Sequence, residues 1–167
     1  MISKEYIRLN KIAHKDPKYG TAGRKNAPYV QALLDAMQPA SWLDYGCGKQ
    51  TLRAAVKYHG VYVGYDPAMH GCGYKEPADL VTCTDVLEHV EPDHIDAVLD
   101  DIFGLAGRAV YVAISCSPGT RILADGKPAH RFVRSHEWWS KQLSEYGLVE
   151  IHTPIARASE IVATIWK

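Results

Sequence analysis

The feature that most constrains the fold is a short apolar segment at 41–45 (SWLDY), which runs directly into a Gly-Cys-Gly turn at 46–48. A buried strand that breaks at glycines and continues with helical spacing, here at 49–58, is typical of the first half of a parallel βαβ unit. A second apolar segment, VYVGY at 61–65, predicts the next strand. The chain is therefore predicted to build an open sheet from alternating strands and helices.

The rest of the chain continues this alternation and changes it only at the end. Further strands are predicted at 78–83, 108–115, 148–153 and 160–166, and further helices open at Asn26, Glu91 and Ser135. The last two strands have a short connection, so we expect them to pair antiparallel. The predicted fold class is α/β: a doubly wound, Rossmann-like, mostly parallel sheet with a C-terminal antiparallel strand pair.

Only residues 67–78 separate the second strand from the third. This segment is too short for a helix, a strand and another helix, so we expect a sheet that is shortened at this edge. The expected strand order is second, first, third, fourth, last and penultimate. The second strand then lies at an edge that needs cover, from the 67–78 loop, from the N-terminal segment or from a second subunit in a homodimer.

Length and composition limit what the chain can be. We expect one domain, 1–167, with an N-terminal helical segment (1–40), a core (41–115), a loop over the site (116–134) and a closing helix and strand pair (135–167). No apolar run is long enough to cross a bilayer, and the N-terminus is too polar for a secretory signal. Lys+Arg and Asp+Glu are equal at 19 each, which disfavours nucleic acid as a partner. The four cysteines form no C-x-x-C pair, which indicates reduced thiols and a cytoplasmic protein.

The strongest chemical signal comes from the turn at 46–48 and the end of the second strand. A glycine-rich turn between strand and helix lets a ligand approach backbone N–H groups. Asp66 follows at the spacing at which a carboxylate meets ribose hydroxyls. A dinucleotide is disfavoured because Thr51 replaces the third glycine of its fingerprint and because Asp44 would repel a pyrophosphate. A ligand with an ammonium group and no phosphate fits better, as S-adenosylmethionine does.

The motifs LDYGCG, VGYDPA and ADLVTCTDVLEHV resemble the class I S-adenosylmethionine-dependent methyltransferases, in particular small single-domain members of bacteria and phages. The resemblance covers about residues 41–115. It implies that S-adenosylmethionine is the cofactor, that the first motif lines its methionine part and that Asp66 holds the ribose hydroxyls. The cofactor-binding residues that it implies are Asp44, Gly46, Cys47, Gly48, Asp66, Pro67, Asp85, Val86 and Leu87.

Two departures from the family pattern concern how the cofactor is held. Gln50 stands where the family commonly carries a third glycine of the turn. The missing unit between the second and third strands usually carries an acidic residue that contacts the adenine amino group. We therefore expect adenine to lie against the 67–78 loop, held by backbone and apolar contacts around Met69, Cys72 and Tyr74.

Asp85, His89 and His130 are the candidate catalytic residues, because an acceptor O–H or N–H can need a general base in methyl transfer. The acceptor, a small molecule or a macromolecule, is not identified by the sequence, since a fold does not dictate a substrate. Four basic side chains in the 116–134 loop indicate either an anionic acceptor or product, or a solvated loop: Arg121, Lys127, Arg131 and Arg134.

Two other functions and a metal site are weighed against this interpretation. The main alternative is a non-catalytic module with the same fold that binds S-adenosylmethionine or a partner, which Gln50 and the shortened sheet edge favour. A nucleotide-dependent oxidoreductase is disfavoured by Thr51 and Asp44. No metal site is expected, because Pro92 interrupts the segment and leaves no regular i, i+4 face for its candidate ligands: Glu88, His89, Glu91, Asp93 and His94.

Overall fold

Six strands form one sheet in the computed structural model, which describes residues 2–152 and 159–167. The strands are β1 (Ser41–Tyr45), β2 (Val61–Tyr65), β3 (Ala78–Thr84), β4 (Ala106–Ser115), β5 (Leu148–Ile151) and β6 (Glu160–Trp166). Their order is β2-β1-β3-β4-β6-β5, with β1 to β4 parallel and β6 antiparallel to both of its neighbours. The predicted strand order is confirmed, and no described strand lies outside β2. Thr153, predicted as the end of the fifth strand, and the connection that follows it up to residue 158 lie outside the described residues.

Helices cover both faces of the sheet. They are α1 (Lys4–Ala13), α2 (Ala27–Met37), α3 (Ile95–Leu105) and α4 (His136–Ser144). Successive strand residues point to opposite faces, so Leu43 belongs to the apolar cluster under α3 and α4, whereas Trp42 belongs to the cluster under α2. The fold is therefore doubly wound, as predicted. No helix in the described ranges is long and apolar enough to cross a membrane.

The central position of β4 follows from its sequence. Its residues from Ala109 to Ile114 are all buried, with exposures of 1% or less. An apolar run without alternation is typical of a strand that is covered on both faces. β4 pairs with β3 on one side and with β6 on the other, so it joins the parallel part of the sheet to the antiparallel pair.

The helix predicted at 49–58 is wrong. The structure has a single 3-10 turn there, Arg53–Ala55. Gln50 lies in the left-handed region with φ 55°, so a regular helix cannot include it, and Val56 is already extended. Leu52 and Val56 are buried all the same, because the turn delivers both side chains to the core under α2. The apolar spacing therefore indicates which side chains are buried, but it does not establish a helix.

The N-terminal residues form a defined helix, which the sequence placed only within a helical segment at 1–40. α1 begins after Ser3, whose hydroxyl accepts a hydrogen bond of 3.0 Å from the Tyr6 amide. Tyr6 and Leu9 are buried and form a small apolar cluster with residues of the 116–134 loop. The two segments therefore pack together beside the carboxyl ends of the parallel strands.

Candidate functional site

A cavity of about 440 Å³ lies at the carboxyl ends of β1, β2 and β3. Parallel α/β sheets bind their ligands at this edge, and small-molecule pockets measure about 300–1,000 Å³. The walls come from the strand ends, the N-terminal segment and the 116–134 loop. The cavity brings together all but one of the predicted site residues: Asp44, Gly46, Cys47, Gly48, Asp66, Pro67, Asp85, Val86, His89 and His130.

Leu87 is the exception, and its expected contact with a cofactor is corrected. Its side chain is fully buried in the apolar core under α3. Leu87 begins a 3-10 turn, Leu87–His89, in which its neighbours Val86 and Glu88 line the cavity while Leu87 faces inward. Adjacent residues of a turn cannot all point into the cavity, and the motif does not indicate which of them points into the core instead.

The Gly-Cys-Gly turn requires glycine at both ends. Gly46 and Gly48 have φ of 78° and 48°, in the left-handed region that favours glycine. A Cβ on Gly46 would lie 2.2 Å from Cγ2 of Val86, and one on Gly48 would lie 2.7 Å from the Gly20 carbonyl oxygen. The turn therefore presents backbone and not side chains to a ligand.

Asp66 is held in place by backbone amides on both sides. Its Oδ2 accepts a hydrogen bond of 3.2 Å from the Gly48 amide, and its Oδ1 accepts one of 2.8 Å from the Ala68 amide. His14 Nε2, from the N-terminal segment, lies 3.8 Å from Oδ2. Because each carboxylate oxygen has a further lone pair, Asp66 can still accept hydrogen bonds from a pair of ligand hydroxyls.

Asp44 is a buried carboxyl group, only 2% exposed. Its Oδ1 accepts a hydrogen bond of 2.7 Å from the Thr82 hydroxyl, which in turn accepts one of 2.8 Å from the Trp42 indole N–H. The Tyr62 hydroxyl lies 3.4 Å from the other carboxyl oxygen. Burial raises the pKa of Asp44 to about 6. A cation in the cavity would favour the ionised form of this group.

Asp85 sits in a strained conformation directly after β3, with φ 55°. Its Oδ1 accepts a hydrogen bond of 2.8 Å from Lys25 Nζ, which also binds Glu160 of β6. Its Oδ2 is buried and has no hydrogen-bond partner among the described residues. Burial raises the pKa of Asp85, and Lys25 opposes that rise.

Glu88, His89 and His130 form a compact cluster on the cavity wall. Glu88 is 1% exposed, and burial with the nearby Asp85 carboxyl group raises its pKa to about 8. Burial lowers the pKa of His89 to about 4, so its imidazole is neutral at ordinary pH. The rings of His89 and His130 meet edge to face, with centroids 4.8 Å apart. The sequence suggested both histidines but gave Glu88 no role.

The loop that carries His130 is fixed to the same turn. The backbone carbonyl of Glu88 accepts hydrogen bonds from the amides of Arg131 and Phe132, at 2.7 and 2.9 Å. Two bonds to one carbonyl set the distance between the loop and the end of β3. His130 is therefore held beside His89 by backbone contacts, although the two are far apart in the sequence.

Residues of the N-terminal segment also line the cavity, and the sequence interpretation missed them; among them are Tyr6, Asn10, His14 and Tyr19. The Tyr6 hydroxyl donates to the Ala129 carbonyl at 2.8 Å, and the Tyr19 hydroxyl donates to Asn10 Oδ1 at 2.7 Å. The first bond ties the segment to the 116–134 loop, and the second holds Tyr19 against α1 within the segment.

A signal for this cover is present in the sequence. Tyr6, Leu9 and Ala13 repeat at helical spacing after the capping residue Ser3, and the apolar Ile2 precedes it. The segment is polar overall, so its short apolar stripe was overlooked. Its place over the cavity follows from the tertiary contacts and not from the stripe alone.

Met69, Cys72 and Tyr74, where contacts with adenine are expected, do not line the cavity. A backbone hydrogen bond of 2.7 Å to the Cys72 carbonyl closes the loop on itself, and Tyr74 is 64% exposed. Of the described residues in 67–78, Pro67 and Ala68 line the cavity. The loop therefore borders the site with its first turn and not with its middle.

The basic residues of the 116–134 loop are largely paired within the protein. Arg121 binds the Asp16 carboxylate, and Arg131 binds that of Asp125 at 2.7 Å. Arg134 stacks over an aromatic ring, 4.1 Å from its centroid. Arg121 is the one of the four that lines the cavity. This arrangement favours the solvated-loop alternative over an anionic acceptor.

A family model described as a methyltransferase domain matches residues 18–158. The chain belongs to this methyltransferase family. The match includes every strand from β1 to β5 and the three motifs LDYGCG, VGYDPA and ADLVTCTDVLEHV. The predicted methyltransferase family is thereby confirmed. No curated protein sequence matches the chain.

Solved structures share the fold of this methyltransferase at low identity. Magnesium protoporphyrin IX methyltransferase (ChlM) from Synechocystis PCC 6803, with bound SAH, is 18% identical over 86% of this chain and 83% of its own, with a TM-score of 0.55. The 1,6-didemethyltoxoflavin-N1-methyltransferase of Burkholderia thailandensis is 17% identical over 98% and 89%, with a TM-score of 0.59. The DhpI-SAH complex is 15% identical over 97% of both chains, with a TM-score of 0.58. These likenesses confirm the Rossmann-like fold class.

Proposed function

We propose that this methyltransferase transfers a methyl group from S-adenosylmethionine to an acceptor bound in the same cavity. The observation that carries the proposal is that one cavity holds Asp44, the glycine turn and Asp66 together with Asp85 and the two histidines. The donor supplies a methyl group that its sulfonium already activates, so the protein has to bind and orient the two reactants and exclude water.

All four cysteines are free thiols, which supports a cytoplasmic location.

The cofactor end of the cavity fits the proposed donor. The buried Asp44 carboxyl group offers a negative partner for an ammonium group, and Asp66 offers acceptors for two ribose hydroxyls. Gly46 and Gly48 keep the turn in a left-handed backbone conformation, in which a Cβ would collide with Val86 or with the Gly20 carbonyl oxygen. Pro67 and Ala68 give the adjoining wall, which we propose for the adenine ring.

The acceptor end is formed by Asp85, His89 and His130. The Nδ1 atoms of His89 and His130 face backbone carbonyls at 3.0 and 2.8 Å, so Nε2 is the ring nitrogen of each that is left to accept a proton. We propose that one of these three residues accepts the proton that leaves the acceptor. Tyr6 and Tyr19, on the covering segment, line the same cavity.

Calorimetry with S-adenosylmethionine and S-adenosylhomocysteine tests the cofactor assignment. Asp66→Ala should weaken binding roughly 10- to 100-fold, because hydrogen bonds to a charged acceptor contribute about 1.5–3 kcal/mol each. Asp93→Ala, at an exposed carboxylate of the turn Pro92–His94, is the matched control and should bind like the parent protein. No binding by the parent protein would refute the cofactor, and equal binding by Asp66→Ala would refute the ribose contact.

Transfer itself is tested with tritiated S-adenosylmethionine and a bacterial lysate, with small molecules and macromolecules counted separately. Tritium that is transferred to lysate components only when active protein is present supports the proposal. The fraction in which the tritium is counted shows whether the acceptor is a small molecule or a macromolecule. Tight cofactor binding without any transferred label would favour the non-catalytic binding module instead.

A further inference from the structure

We propose that Glu88, His89 and His130 bind a divalent transition-metal ion at the acceptor end of the cavity. One carboxylate oxygen and one ring nitrogen from each histidine all lie within 4.8 Å of one another. Glu88 and His89 come from the 3-10 turn after β3, and His130 comes from the 116–134 loop. Imidazole and carboxylate are ligand types that borderline metal ions take in proteins.

The two imidazoles are oriented as metal ligands are. His89 Nδ1 lies 3.0 Å from the Ala129 carbonyl oxygen, and His130 Nδ1 lies 2.8 Å from that of Ser117. A carbonyl only accepts hydrogen bonds, so Nδ1 donates in both rings and Nε2 is the ring nitrogen left to bind a metal ion. Metal-binding histidines characteristically donate their second N–H to a carbonyl or carboxylate in this manner. Both rings are thus held by a carbonyl in the way that is usual for metal-binding histidines.

The carboxylate supplies an independent observation. Glu88 is 1% exposed, and its Oε1 accepts a hydrogen bond of 3.1 Å from the Ser115 amide. Its Oε2 is buried and has no hydrogen-bond partner within the described ranges. Buried carboxyl oxygens are normally paired, because an unpaired one loses its hydration without compensation. A cation between Oε2 and the two imidazoles would satisfy this oxygen.

Only small side-chain movements are needed to close the site. Ligand atoms at about 2.0–2.2 Å from a tetrahedral ion lie roughly 3.3–3.6 Å apart. The candidate ligand atoms of this cluster lie within 4.8 Å of one another. The turn and the loop are already joined by two amide bonds to the Glu88 carbonyl. The backbone of the turn and that of the loop are thus already held side by side.

The donor set selects the class of ion. Two imidazoles and one carboxylate suit Zn²⁺, Mn²⁺, Fe²⁺ or Co²⁺, whereas Mg²⁺ and Ca²⁺ prefer oxygen ligands throughout. Three protein ligands leave at least one coordination position open, and the cluster borders the cavity. If the proposed function holds, an acceptor atom would bind there, and Asp85 would remain as the proton acceptor because both imidazoles are engaged.

The test measures metal binding directly, without the cofactor or any acceptor. The full chain is prepared without a polyhistidine tag, stripped with a chelator and titrated with Co²⁺ by visible absorption and with Zn²⁺ by calorimetry. We expect one ion per chain. His130→Ala and Glu88→Gln should each weaken affinity by at least about tenfold, since even the loss of an outer hydrogen bond costs roughly 10- to 100-fold.

His94→Ala is the matched control, because His94 lies on the adjoining turn outside the cluster. It should bind both ions like the parent protein. His130 is half-buried and lies on a loop, so its variant remains informative if Glu88→Gln does not fold. Absence of binding by the parent protein, or equal binding by all variants, would overturn the proposal. Failure of the methyl transfer would leave this result intact, since the titration contains no methyl donor.

Discussion

The buried Asp44 carboxyl group predicts how stability depends on pH. Its pKa rises from 3.8 to about 6 because folding removes it from water. The folded protein therefore holds this proton more tightly than the unfolded chain does, and its stability falls as the pH rises from about 4 to about 6. One pKa unit corresponds to about 1.4 kcal/mol, so the ionised group costs about 3 kcal/mol at neutral pH.

Asp44→Asn should remove this dependence and keep the local contacts. The amide oxygen still accepts from the Thr82 hydroxyl, and its NH₂ group can donate to the Tyr62 hydroxyl. By linkage, the cost of Asp44 in the parent protein is about 1 kcal/mol near pH 4.5 and about 3 kcal/mol near pH 7.5. Between about pH 4.5 and about pH 7.5, the variant should therefore gain about 2 kcal/mol of unfolding free energy relative to the parent protein.

Urea unfolding of both proteins without ligand, at the two pH values, gives these free energies directly. Asp93→Asn, which removes an exposed carboxylate, should follow the parent profile. If the parent and Asp44→Asn profiles run parallel, the pKa of Asp44 is not raised by burial and the argument fails.

Two further substitutions test the walls of the cavity. Gly46→Ala should destabilise the protein by roughly 1–3 kcal/mol and abolish S-adenosylmethionine binding in calorimetry. Its backbone φ is 78°, and the new Cβ would collide with the Val86 side chain. Gly73→Ala is the control: a Cβ there has no atom within 4 Å, so neither stability nor binding should change. Tyr6→Phe should lower the unfolding free energy by roughly 0.5–1.5 kcal/mol through loss of its bond to the Ala129 carbonyl. Unchanged urea midpoints for both variants would show that neither contact is formed.

The sequence predicted the strands and their order because both depend on local patterns. Short apolar runs such as 41–45 mark buried strands. The segment 67–78 is too short to hold a further strand with its helices, so β2 becomes the edge of the sheet. Parallel pairing then follows from the connections between them. These constraints need no knowledge of side-chain contacts.

The sequence could not predict features that depend on contacts between distant residues. The spacing of Leu52 and Val56 fits a helix, yet the left-handed Gln50 and the extended Val56 leave one short turn. His130 was recognised as a candidate, but its place beside Glu88 depends on backbone bonds that no residue pattern records. Adjacent motif residues were also taken to share one face, which is why Leu87 was misplaced.

The cover over the cavity has a consequence for the order in which the protein assembles. Ser3 binds Glu91, and Tyr6 binds Ala129, across 88 and 123 positions of the chain. Such distant pairings form late, because a long loop must close before they contribute. The sheet can therefore be complete before α1 docks, and α1 can leave again without disturbing the sheet. Hydrogen exchange should accordingly be faster at the amides of α1 than at those of β4, and the cofactor pocket should be the last part of the molecule to mature.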